Sequence, residues 1–160
     1  MQSPELALQH SEIELACFTV GGVTLALDVQ VVREVARCPQ LTPLPQAPRL
    51  IEGVADLRGR VIPVVDLGRA LLGQPVEDSL ARVVIVESDG LVFGLRVGNA
   101  ADVVTLSTEA LDAAPALATQ AGYDAVRAVV RREGQAPVLV LSLEHLLERI
   151  YRSARPGEGE

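Results

Sequence analysis

The sequence predicts an all-β protein built as two small closed or nearly closed barrels. Three observations lead there. The strand signals are short and numerous: "LACFTV", "VTLALDV", "RVVIVES" and "LVFGLRV" are rich in β-branched and other apolar residues and are bounded by turns. No long helical pattern is interleaved with them, which removes the folds that need crossover helices. The pattern also occurs twice along the chain. Closure suits many short strands because it hides sheet edges that would otherwise pair with another chain.

In chain order, residues 1–12 read as a flexible leader. "LACFTV" and "VTLALDV" follow, joined by Gly21-Gly22, a dipeptide that tolerates the positive φ angles of a tight hairpin. After "VVREVAR", the connector "CPQLTPLPQAP" holds four prolines in eleven residues. Proline cannot donate to a sheet ladder, so this is an extended connection across the surface of the first barrel. A polyproline ligand for an SH3-type domain is the weaker reading, because a connector inside a folded unit seldom doubles as a free ligand. Residues 51–73, "IEGVADLRGRVIPVVDLGRALLG", set an Arg-Gly-Arg turn between two apolar runs and end in an amphipathic segment that predicts a short helix. The second hairpin turns at Asp89-Gly90, and "SLEHLLERI" predicts a terminal helix before a polar tail at 151–160.

The two halves are related by a repeat. Adding 68 places Gly22 on Gly90, Leu25 on Phe93, Leu27 on Leu95 and Val29 on Val97. Adding 75 places residues 51–60 on 126–135, with Gly59 on Gly134 and Val54 on Val129. We therefore expect one domain over 13–150 made of two intimately packed subdomains, about 15–76 and 80–150, each with about five short strands and a terminal helix. Either unit alone would bury too little surface for comfortable stability.

Composition narrows the function. The apolar fraction of 49% supplies a core, filled by Val, Leu, Ile and Ala because only two Phe, two Tyr and no Trp are present. Such a chain offers little for stacking bases or sugars. With 21 acidic against 14 basic residues the net charge is −7, which argues against nucleic acid, whose affinity comes from Lys and Arg on phosphates. Cys17 and Cys38 form no CxxC and, with His10 and His145, give no zinc spacing, so they read as reduced, mostly buried thiols. No signal-peptide pattern and no apolar run approaching the roughly 20 residues of a membrane helix occur, so a cytoplasmic protein without direct membrane insertion is expected.

Catalytic motifs are missing. There is no glycine-rich phosphate loop, G-x-S-x-G elbow or H-E-x-x-H. Glu144, His145 and Glu148 share a predicted helix but lack two further metal ligands, and a solvated face explains them better. Asp28 and Asp66 are acids in apolar strands, where turn and strand-end hydrogen bonding is the simpler role. No cofactor, metal or enzymatic activity is expected. Attention therefore falls on the Arg-Gly-Arg turn. A glycine turn flanked by arginines is a common hairpin end, but Glu34 in "VVREVAR" is an acid in an apolar and basic run, a natural partner for a guanidinium. Val31, Val32 and Val35 would leave apolar surface beside that pair, a combination typical of protein-binding patches.

"VREV" followed by "PLPQAPRLIEGVADLRGRVIPVVDL" resembles the CheW-type coupling proteins of bacterial chemosensory arrays, and "VRAVVRREGQAPVLVLSLEHLL" is similar to that family's closing segment. The resemblance spans almost the whole chain. It implies two SH3-like five-stranded β-barrel subdomains around a shared hydrophobic interface, no catalysis, and a monomer when free. It implies an adaptor between the cytoplasmic tips of methyl-accepting chemoreceptors and the regulatory domain of a CheA-type histidine kinase, recruited to receptor arrays at the inner face of the membrane. The alternative within the family is a scaffold for a non-flagellar pathway, such as pilus motility or development. By position, the resemblance makes Glu34 the acid of "VREV" and Arg58 the arginine of "LRG". Val32, Glu34, Val35, Arg58 and Gly59 become the expected receptor-binding residues, while no kinase-binding residue is assigned. The chain departs from the family pattern at Asp56, where Asn is usual, at Ser142, where an acid is common, and at Leu25–Leu27, which lack the usual Tyr-Gly.

Overall fold

In the computed structural model, residues 11–77, 80–113 and 125–153 are described. The leader up to residue 10 and the tail from 154 lie outside the described residues. Three hairpins with the same two-residue turn organise the chain, and a fourth follows near its C-terminal end. β1 (Glu12–Val20) and β2 (Val23–Asp28) turn at Gly21-Gly22, β4 (Ile51–Leu57) and β5 (Arg60–Asp66) at Arg58-Gly59, and β6 (Arg82–Ser88) and β7 (Leu91–Val97) at Asp89-Gly90. Both central residues of each turn have positive φ, the two-residue geometry that matches the twist of the flanking strands.

The remaining elements are β3 (Val32–Arg37), β8 (Asn99–Ser107), β9 (Leu111–Ala113), β10 (Val126–Arg132), β11 (Gln135–Leu141) and the helix α1 (Leu143–Ser153). They form a six-stranded sheet in the order β8-β1-β2-β11-β10-β9 and a five-stranded sheet in the order β3-β6-β7-β5-β4. Each sheet curls onto itself. A 3-10 turn at Thr108–Ala110 joins β8 directly to β9, so one nearly continuous segment holds both ends of the first sheet. In the second, the proline-rich connector leaves β3 and pairs Thr42 with Val54 of β4 through two backbone hydrogen bonds of 2.9 Å. Gln46 in that connector has φ of 61°, far from the polyproline value near −75°, so the segment is not a preformed polyproline helix.

The sheets do not follow the division at residues 76 to 80 that the repeat suggests. Sheet one takes β1 and β2 from the first repeat and β8 to β11 from the second; sheet two takes β3 to β5 from the first and β6 and β7 from the second. The hairpins have changed places. Parallel pairings make the exchange, Ala26 beside Val140 and Val64 beside Gly94. The repeat explains why this is possible: the two hairpins are alike, so each finds the same register on the other unit's strands as it would on its own.

Burial follows from this interlocking. Phe18, Leu27, Val65, Val86, Phe93 and Leu95 belong to one large cluster contributed by both sheets. Two smaller clusters lie inside the barrels, Leu15, Cys17, Val130 and Val138 in the first and Ala55, Ile62, Val83 and Ile85 in the second. β1 serves both, with Leu15 and Cys17 turned into its own barrel and Phe18 and Val20 toward the shared core. α1 closes that core with Leu143, Leu146 and Ile150, a helical spacing. Its N-cap is Ser142, whose Oγ accepts from the His145 backbone N–H at 3.3 Å. The segment "LGRALLG" forms only a five-residue π-helical turn, Gly68–Leu72. Asp66, 2% exposed, ties it down by accepting from the backbone N–H groups of Arg69 at 3.0 Å and Val76 at 3.0 Å.

Candidate partner-binding surface

β3 and the β4–β5 turn meet where the second sheet closes. The Arg58 guanidinium donates to the Glu34 carboxylate, with Arg58 strongly exposed and Glu34 partly so. Arg58 has φ of 53°, an uncommon backbone for a side chain with a Cβ. Gly59, at φ of 83°, follows, and its N–H donates to Asp56 Oδ1 at 2.9 Å. That bond needs only a side-chain oxygen, so Asp56 holds the turn as an asparagine would. Ser142 likewise performs the capping that an acid could perform. Leu25, Ala26 and Leu27 are all buried in the cores.

Among the five expected residues, Glu34, Arg58 and Gly59 lie together at this closure. Val35 is 46% exposed on the opposite side of β3 from Glu34, since burial alternates along the strand. Val32 is partly buried and packs against the shared core. Arg60 is exposed. Sequence reasoning overlooked Val61, 65% exposed beside the turn; its alternation with the buried Ile62 was the available signal. It also overlooked two ion pairs of the same sheet, Arg33 with Glu87 and Arg96 with Glu52, the latter at 2.6 Å. No periodicity links residues so far apart in the chain. The closure thus carries a neutralised charge pair with Val61 exposed beside the turn, while Val35 is exposed on the other side of β3.

The other candidates resolve into structural roles. Asp28 Oδ1 accepts from the Gln30 N–H at 2.9 Å. His145 Nδ1 lies 2.8 Å from Ser142 Oγ, and His10 is outside the described residues. Cys17 and Cys38 are free thiols, and burial pushes both above the usual thiol pKa, the opposite of an activated nucleophile. Among the described residues, no group of three or more His, Cys, Asp or Glu is placed to hold a metal, and no helix is long and apolar enough to cross a membrane.

Comparison with known proteins agrees with this architecture. The crystal structure of the scaffolding protein TtCheW from Thermoanaerobacter tengcongensis superposes with a TM-score of 0.76 at 26% identity, covering 86% of this chain and 94% of that one. The chemotaxis protein CheW of Rhizobium meliloti is 33% identical over 79% of the chain and 83% of its own length. Protein FrzA of Myxococcus xanthus is 33% identical over 95% of the chain and 98% of its own. The model of the CheW-like domain matches residues 14–151, which is nearly all of both interlocked SH3-like barrels, and the chain belongs to the CheW-like domain family.

Proposed function

We propose that this protein is a non-catalytic adaptor that couples chemoreceptors to a CheA-type histidine kinase in a bacterial chemosensory complex. The observation that carries the reading is the Glu34–Arg58 pair at the closure of the second barrel, with Val61 exposed beside the turn and Val35 exposed on the other side of β3. The cytoplasmic tip of a receptor meets this surface, and the regulatory domain of the kinase meets the protein elsewhere. The free protein is a cytoplasmic monomer and is drawn to receptor arrays at the inner face of the membrane. A pathway other than flagellar chemotaxis is the second reading, favoured by the likeness to FrzA over nearly the full length of both chains.

Reconstitution tests it. Mixed with receptor-bearing membranes and kinase, the protein should raise kinase autophosphorylation while taking up no phosphate itself. Stoichiometric labelling of this chain, or kinase activity indifferent to its addition, would overturn the adaptor reading.

A further inference from the structure

The inner face of the first barrel does not fill completely. Leu15, Cys17 and Thr19 of β1, with Val130 of β10 and Val138 of β11, line a cavity of about 250 Å³ that opens between β8 and the β10–β11 turn. The internal repeat supplies a comparison. Cys17 corresponds to Ile85 and Thr24 to Val92 by the offset of 68, and Arg132 to Leu57 by the offset of 75. Val138 lies opposite Val130 as Ile62 lies opposite Ala55, so Val138 corresponds to Ile62. In the second barrel, Ile62 and Ile85 are buried together, and Leu57 and Val92 pack against them. The same architecture is thus filled with hydrocarbon once. In the other copy those places carry a thiol, a hydroxyl, a shorter aliphatic chain and a guanidinium drawn aside to the Ala136 carbonyl at 2.7 Å. The fold itself does not require the cavity.

We propose that the mouth of the first barrel binds a small uncharged ring or branched aliphatic molecule bearing one hydroxyl group, the class of benzyl alcohol. The volume exceeds the roughly 150 Å³ of an apolar cavity known to hold benzene. Leu15, Leu106, Val130 and Val138 supply apolar walls. Thr19 and Thr24, directly opposite each other across the β1–β2 hairpin, border the cavity with hydroxyls that can meet a single polar group. Both signs of charge stand at the rim: Arg131 is held by Asp112 at 2.6 Å, and Arg132, bonded to the Ala136 carbonyl at 2.7 Å, shares the lining with Asp102. A net charge of either sign on the ligand would lose hydration and meet a like charge as well as an opposite one at the rim.

Titration calorimetry of the full-length protein with benzyl alcohol should show saturable binding on the order of 1 mM, within reach of so small a ligand. Benzoate and benzylamine, of the same shape but charged, should bind at least about fivefold more weakly because their charge must be desolvated. Cys17→Ile and, separately, Val138→Ile, which copy the second barrel, should abolish or sharply weaken binding. In the unsubstituted protein, benzyl alcohol should slow alkylation of Cys17 and leave Cys38 unaffected, a readout that needs no variant to fold. Failure to saturate, equal binding of benzoate, or binding unchanged in both variants would overturn the proposal. So would loss of kinase regulatory-domain binding in the variants of a protein that never takes up benzyl alcohol, because the cavity would then be a socket for a partner's side chain.

Discussion

Arg58, at the tip of the β4–β5 hairpin, pairs with Glu34 on β3, and these strands stand at opposite ends of the five-stranded sheet order. The ion pair therefore spans the line along which the barrel closes. Its exposure decides its energetic meaning, since water screens such a pair to about 0.2–1 kcal/mol. Arg58→Glu should leave the fold intact and the unfolding midpoint in urea nearly unchanged. Receptor coupling should fall more than tenfold, since a charge buried without its partner in a complex costs roughly 2–5 kcal/mol. Adding Glu34→Arg should restore part of the coupling, and Arg60→Glu should do much less. A double reversal no better than either single change would refute the pair's role.

The exchanged hairpins make a second expectation. A chain cut near residue 78 leaves each half without the strands that complete either sheet. Neither half should show a cooperative unfolding transition alone. Mixed in equal amounts they should recover the far-UV circular dichroism of the intact chain, with strand as the main component. Independent folding of either half would contradict the interlocked arrangement.

Asp66 is a buried carboxylate satisfied by backbone donors of the π-helical turn and of Val76. Asp66→Ala would strand those donors and should cost on the order of 3 kcal/mol, read from urea unfolding. Asp66→Asn keeps one acceptor oxygen and should cost less. A negligible loss in both would mean that the loop finds other partners.

Gly94 and Ala26 occupy corresponding places in the repeat, yet only Ala26 carries a methyl group. A Cβ at Gly94 would lie 2.6 Å from Val83 Cγ1 and 3.3 Å from Val64 Cγ2. Gly94→Ala should destabilise by about 1–3 kcal/mol through overpacking. Ala26→Gly should cost only about 0.5–1 kcal/mol, from backbone entropy. The asymmetry between these two changes is measurable by thermal denaturation.

The thiols set a pH dependence. Burial raises the pKa of both Cys17 and Cys38, so the folded protein holds their protons to higher pH than the unfolded chain does. Their contribution to stability is complete below the unfolded value near 8.5 and is lost as pH rises through it toward the folded values. Unfolding midpoints should decline from about pH 8 upward, and a variant with both cysteines changed to alanine should decline less over that range.

Much of this molecule is legible in its sequence because the governing forces are local. Alternating apolar residues place the strands, and the dipeptides Gly21-Gly22 and Asp89-Gly90 place two hairpins, since backbone sterics alone dictate which residues accept positive φ. The Ser142 cap and the apolar spacing of Leu143, Leu146 and Ile150 likewise announce a helix. Glu34 and Arg58 could be singled out as an odd acid and an odd base in apolar surroundings.

Other features arise only when the chain closes. The sequence by itself determined two similar β units and their turns, because sterics and hydrophobic period act within a few residues. Tertiary structure decided which hairpin joins which sheet, because Ala26 finds an equivalent parallel register beside Val140 whether or not the two belong to one repeat. It also decided that Val32 packs inward while Val35 stays exposed, and that "LGRALLG" winds as one π-helical turn around Asp66. Each of those outcomes rests on a neighbour brought from a distant segment, and packing against such neighbours is a property of the closed barrels rather than of any stretch of sequence.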